Sequence, residues 1–198
     1  MYLKEDADNT ITIEKSRFIC YMKHVKNEQE YRDFLADIRK KHYDASHVCS
    51  ALVCGNIQRS SDDGEPSGTA GAPILNILVK NHLDETCALV VRYFGGIKLG
   101  ASGLIRAYGN AVKAALENAV LAEDVEYDRY ILTLSYELAN KVDYYLRNST
   151  ILLDTEYGEE VTYDFATDNE NILNDIQEYT RGIRPEYIGK KIITKVVE

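Results

Sequence analysis

Val90-Val91-Arg92-Tyr93-Phe94-Gly95-Gly96-Ile97-Lys98-Leu99-Gly100-Ala101-Ser102-Gly103-Leu104-Ile105-Arg106-Ala107-Tyr108 joins a strand to a helix through glycine. An apolar run ends in an aromatic pair, four glycines follow within nine residues, and helical spacing begins at once. Glycine at that density permits positive φ and close backbone approach. A helix that starts directly behind it turns unpaired N–H groups and the positive end of its dipole back on the loop. With Arg92, Lys98 and Arg106 alongside, the segment is a candidate anion receptor, its backbone opened by Gly95, Gly96, Gly100 and Gly103. The plain alternative is a tight strand-to-helix turn packed on a sheet. GxxxxGK[ST] is absent, so this is not a Walker loop.

Outward from this segment, Thr86–Phe94 is apolar enough for a central buried strand and Ala101–Asn118 forms the helix after the loop. Upstream, Thr69 to His82 reads as helix with Pro73 in its first turn, and Asp62–Gly68 as loop. Ser46–Cys54 reads as strand with a short continuation to Arg59, and Glu28–Lys41 as helix with Tyr31, Phe34, Leu35 and Ile38 on one face. Residues 10–13 and 17–24 complete the region as a strand pair, so its class is α+β. Downstream the pattern is strand 126–136, helix 138–148, strands 150–157 and 160–167, helix 169–180 and strand 186–197. That βαββαβ order is ferredoxin-like.

Charge divides the chain at the same place. Through Val120 there are 15 Lys+Arg and 15 Asp+Glu; from Leu121 onward there are 8 and 17, so the whole net charge of −9 lies in the last 78 residues. Nine of the fifteen tyrosines also lie there, while all four histidines and all four cysteines precede the break. Two domains are expected, residues 1–122 and 123–198.

A second string, Arg59-Ser60-Ser61-Asp62-Asp63-Gly64-Glu65-Pro66-Ser67-Gly68-Thr69-Ala70-Gly71-Ala72-Pro73-Ile74-Leu75, gives the chain its family likeness. With Arg92–Tyr108, with Lys15-Ser16-Arg17-Phe18-Ile19 and with His47-x-Cys49, it resembles the IMPACT/YigZ family. The resemblance is strong from about Lys15 to Val120 and weaker beyond. Ser102 stands where the family usually has glycine. The resemblance implies a ribosomal-protein/GHMP-kinase-like α+β domain followed by a ferredoxin-like one, similar to elongation factor G domains IV and V. It further implies a link to translation, since eukaryotic relatives regulate it through a further domain and a partner of an initiation-factor kinase pathway. Leu99–Gly103 also loosely resembles the phosphate loop of GHMP-type kinases.

Two sets of site residues follow. Arg92, Gly95, Gly96, Lys98, Gly100, Ser102, Gly103 and Arg106 are assigned to binding of an anion or nucleic acid; Arg59, Ser61, Asp62, Asp63, Glu65, Ser67 and Thr69 form the second motif loop. The three acids suit a divalent cation or an arginine clamp, with Arg59 or Arg92 as partner. The ion pair between the strings is favoured, and no metal or cofactor is assigned. Ser61, Ser67 and Thr69 have no histidine spaced as their base, HExxH is absent, and no catalytic residue is named. His42, His47, Cys49 and Cys54 match no zinc spacing; Cys49 and Cys54 sit an odd step apart, facing opposite sides of a strand. Ser102 serves if a helix N-cap is needed there and fails if positive φ is needed. Tyr93, Phe94 and Tyr108 among the cations suit stacking of single-stranded nucleic acid, although the region is charge-neutral overall.

The leading function is therefore a non-enzymatic nucleic-acid- or ribosome-binding protein linked to translation regulation. The alternatives are a small-molecule phosphotransferase or hydrolase using the glycine loop and Mg²⁺, and a protein–protein adaptor acting through the acidic C-terminal domain. No segment approaches the ~18 apolar residues of a membrane span. The N-terminus carries acids where a signal peptide is basic then apolar, so a cytoplasmic protein with reduced thiols is expected; a monomer is expected as well.

Overall fold

The computed structural model describes residues 1–197 and divides into two compact units, Met1–Glu123 with the last residues from Val196, and Asp124–Lys195. The first unit runs β1 (Tyr2–Leu3), β2 (Ala7–Ile13), β3 (Ser16–His24), α1 (Glu28–Lys41), β4 (His47–Cys54), β5 (Ile57–Ser61), α2 (Gly71–Lys80), β6 (Thr86–Tyr93) and α3 (Gly100–Leu116). Its main sheet has the order β2-β3-β6-β4-β5 with antiparallel neighbours throughout.

The strand that opens the glycine segment is central. Every residue of β6 is buried up to Tyr93, because both faces of the sheet are covered. On one face Ile19, Val48, Leu52, Leu89 and Val91 pack with Tyr31 and Ile38 of α1. On the other, Phe18, Cys49, Ala51 and Val90 pack with Ile74 and Leu78 of α2 and Leu104, Tyr108 and Val112 of α3. Burial of side chains of this size is worth about 1.5–3 kcal/mol each, so the double-sided core fixes the position of both ends of β6. Cys49 and Cys54 belong to opposite clusters, as their odd spacing requires.

α1 begins at Asn27, whose side chain accepts from the Glu30 N–H, and ends after Arg39, Lys40 and Lys41, which suit the negative end of the dipole. The stretch read as a continuation of one strand is instead a hairpin: β5 turns back on β4 with Cys54 opposite Ile57. Gly55 at φ +55° makes that turn. The two-residue β1, which local pattern did not suggest, pairs with Leu121 and Ala122.

In the second unit the elements are β7 (Leu121–Leu134, beginning in the first unit), α4 (Tyr136–Ser149), β8 (Ile151–Tyr157), β9 (Val161–Thr167), α5 (Glu170–Tyr179) and β10 (Glu186–Val197). Strand order β8-β9-β7-β10 places the first and third strands of the motif side by side, the ferredoxin-like arrangement. Leu132, Leu134, Tyr163 and Phe165 of the sheet meet Val142 and Leu146 of α4 and Ile172 and Ile176 of α5. Among the described residues, no helix is long and apolar enough to cross a membrane.

Candidate functional site

The loop between β5 and α2 is organised by its own acids. Asp62 accepts three backbone N–H bonds, from Gly68 at 2.8 Å, Ala70 at 3.0 Å and Gly71 at 2.8 Å, and so closes the start of α2, where Ala70 supplies no side-chain cap. Partial burial works against its charge, but those three donors outweigh it and hold the carboxyl below the usual aspartate range. Asp63, at φ +45°, accepts from the Val48 N–H and from Arg39, both at 2.7 Å, while its carbonyl meets His47 Nδ1 at 2.8 Å. A Cβ on Gly71 would lie 2.7 Å from the Ser61 backbone, so the loop is drawn tightly against β5.

Glu65 turns inward. Its Oε1 accepts from Arg92 Nη1 at 2.6 Å and from the Tyr108 hydroxyl at 2.7 Å, and its side chain is 4% exposed. Cys49 Sγ lies 3.0 Å from the Asp62 carbonyl and 3.3 Å from the Tyr108 hydroxyl, with one thiol proton for the two acceptors. Burial pushes the Cys49 thiol up to about 12 and pushes the Tyr108 phenol far above its usual value. Arg92 also reaches Ser16 Oγ at 3.5 Å, and Ser16 receives the Gly95 N–H at 3.2 Å. Gly95 is obligatory here, since a Cβ would lie 2.0 Å from the carbonyl carbon of Lys15.

This geometry redistributes the expected roles. The ion pair between the two strings is Arg92–Glu65, and it removes Arg92 from the set of free surface cations. Arg59 does not reach the acidic loop; it bonds Glu28 of α1 at 3.2 Å. Asp62, Asp63 and Glu65 each face different partners, and among the described residues no three His, Cys, Asp or Glu groups converge as a metal requires. Thr69 donates to the Pro66 carbonyl at 2.6 Å and Ser61 receives the Asp63 N–H at 3.3 Å, so both hydroxyls brace the loop; Ser67 is exposed. The three aromatics do not share one patch. Tyr108 is fully buried, Tyr93 bonds His42 at 2.8 Å beneath the Arg17 guanidinium, and Phe94 alone of the three is 49% exposed.

Between the two strings lies a cleft of about 390 Å³ whose wall includes His47, Glu65, Arg92, Phe94, Lys98 and Leu104. Lys98 is exposed and makes no ion pair among the described residues. Beside it α3 starts without a capping side chain: Leu99 occupies the N-cap position and offers no acceptor. Its first-turn N–H groups are therefore left to solvent or a ligand. Gly96 at φ +86° and Gly100 at φ +68° supply the turns, whereas Ser102 lies inside the first turn of α3 without positive φ. Serine at 102 is thus neither a cap nor a strained residue. Arg106 is exposed further along α3, and neither it nor Ser102 nor Gly103 lines the cleft. Sequence reading missed Ser16, Arg39, His47, Cys49 and Tyr108 as members of this network. Helical spacing of Tyr108 with Leu104 and Ala111 was the available signal that it faces inward.

Residues 14–116, which include both strings, match the family model described as the Impact N-terminal domain. The chain is 46% identical over 166 residues to IMPACT family member YvyE of Bacillus subtilis (strain 168), covering 82% of this chain and 76% of that protein. It is 41% identical over 129 residues to IMPACT family member YigZ of Escherichia coli (strain K12), spanning 63% of each. A solved structure described only as that of a hypothetical protein aligns over 100% of this chain and 96% of its own, at 28% identity and a TM-score of 0.61.

Proposed function

The chain belongs to the IMPACT family, and from that premise we propose that it binds RNA, on its own or in the ribosome, through the cleft beside α3 and without catalysis. The observation that carries this reading is Lys98 and Phe94, one an unspent cation and the other an exposed ring, standing at an uncapped helix start. Phosphate on helix N–H groups and lysine, with a base against an aromatic ring, is how single strands are held without sequence preference. Arg106 adds positive charge on the exposed side of the same helix. The likeness to elongation factor G domains IV and V and the translation role of eukaryotic relatives, both implied by the family resemblance, favour a translation partner over other RNA. Such a role belongs in the cytoplasm.

The alternative phosphotransferase needs carboxylates free to hold Mg²⁺, and all three acids of the loop are already bonded to protein donors. The acidic second unit, with Tyr144 80% exposed and Tyr157 65% exposed, is suited to a protein partner instead. Co-sedimentation with ribosomes and with free RNA across a salt series tests the reading. Binding that falls steeply with salt supports phosphate recognition; its absence at low salt contradicts it.

A further inference from the structure

We propose that the cleft seats one terminal nucleotide, with a phosphomonoester at the first turn of α3 and the base against Phe94. This rests on the RNA reading and narrows it from strand to strand end.

Charge distinguishes the end from the middle of a strand. An internal phosphodiester carries one negative charge, whereas a terminal monoester carries about 1.5–2 at pH 7. Glu65 is met by Arg92 at 2.6 Å, so the buried pair is close to neutral as seen from the cleft. Lys98 adds a full positive charge, and the start of the 17-residue α3 contributes roughly half of one. That sum exceeds what a diester neutralises and matches a monoester. His47 extends the polar wall: the Asp63 carbonyl accepts from its Nδ1 at 2.8 Å, and its Nε2 lies 3.9 Å from Glu65 Oε2.

Size and lining point the same way. At about 390 Å³ the cleft is near the small end of the range, about 300–1,000 Å³, that single-ligand sites span. Leu99, Leu104 and Pro66 make its wall apolar, and Phe94 offers a ring to a planar base. Arg92 stands in the same wall. Its side chain is only 6% exposed, yet Nε has no hydrogen-bond partner among the described residues and Nη2 has only the 3.5 Å contact to Ser16. Buried guanidinium donors are nearly always satisfied, so Arg92, packed 5.4 Å from the Phe94 ring centre with one donor left without a protein acceptor, keeps positive character beside the cleft.

The test is fluorescence anisotropy with the full chain and one RNA sequence in four forms: 5′-phosphorylated, 3′-phosphorylated, unphosphorylated and circular. Adenosine 5′-monophosphate serves as competitor. One phosphorylated linear form should bind about tenfold or more tighter than the unphosphorylated and circular forms, the scale of a charge-assisted contact. Lys98→Ala should erase that preference, Phe94→Ala, at an exposed position, should weaken the preferred form, and the mononucleotide should compete. Equal binding of circle and phosphorylated ends overturns the terminal-nucleotide inference while the RNA reading stands. Binding of the mononucleotide with no RNA bound upholds the cleft inference and overturns the RNA reading. Binding of neither overturns both.

Discussion

Arg92 donates to Glu65 at 2.6 Å with both side chains more than nine-tenths removed from solvent, and this bond ties the two diagnostic strings of the sequence into one structure. Glu65 also accepts from Tyr108 of α3, so a single carboxylate joins the loop, the central strand and the long helix. Charge that would otherwise stand at the surface is used to hold the cleft together. Of the cations in the two strings, Lys98 at the cleft and Arg106 beyond it are exposed and make no ion pair among the described residues.

Removing one partner of a buried pair leaves the other uncompensated, which costs about 3–5 kcal/mol. Glu65→Ala should therefore lower unfolding free energy by that amount in urea denaturation, and it also strips Tyr108 of its acceptor. A loss below about 1 kcal/mol would mean that water takes over the site and that the pair does not organise it.

Glycine substitutions should separate by position. Gly95→Ala places a Cβ 2.0 Å from the Lys15 backbone and should prevent normal folding or cost several times more than any other glycine change in α3 or its loop. Gly109→Ala meets nothing within 4 Å inside a helix and should stabilise by about 0.5–1 kcal/mol through helix propensity. Thermal melts of the two variants check both signs.

Asp62 gives a pH dependence. Its carboxyl is held below the ordinary value, so its contribution is complete above the usual aspartate range and is lost as pH falls through the lower, folded-state value. Asp62→Ala should cost about 0.5–2 kcal/mol at pH 7, as other helix-start caps do. The difference from wild type should shrink below about pH 4, measured by denaturation at both pH values. A difference that grows in acid would reverse the assignment.

Thiol reactivity should sort the same way. Cys20, Cys49 and Cys87 are buried, and burial raises all three thiols, Cys87 to about 12. Cys54 is half-buried and should be the first to react. A chromogenic disulfide reagent should titrate one thiol in the native protein and four after denaturation.

Much of the fold was legible because local and long-range preferences agree. Glu28–Lys41 was read to its exact limits: one apolar face, a capping Asn27 and basic residues at the end all mark the same helix. The βαββαβ order of the second unit followed from alternation and turn residues alone, and the strand order bears it out. β5 was merged into its neighbour because its three middle residues are exposed and polar, so it lacks the apolar alternation that marks a strand. β1 exists only through pairing with residues more than a hundred positions away.

The residues of the two strings were legible, and their partnerships were not. An arginine clamp on the acids of the Arg59–Leu75 string was expected, but spacing cannot choose between Arg59, in that string, and Arg92, in the other, as donor. Burial chose: β6 is central and β5 is an edge strand, so Arg92 enters the core side while Arg59 remains outside with Glu28. Arg39 and Ser16 come from other elements and gave no local signal. The question of Ser102 was settled by backbone geometry, which places the cap position at Leu99.

Lys98, at the start of α3, is the residue assigned to RNA phosphate. Anisotropy with a single-stranded RNA across a salt series, comparing wild type with Lys98→Ala and with Lys113→Ala in the last turn of the same helix, tests it most directly. Lys98→Ala should lose about tenfold in affinity and about one unit of salt slope, and Lys113→Ala neither. Equal losses for the two lysines, or no RNA binding by the wild-type protein at low salt, would contradict the assignment.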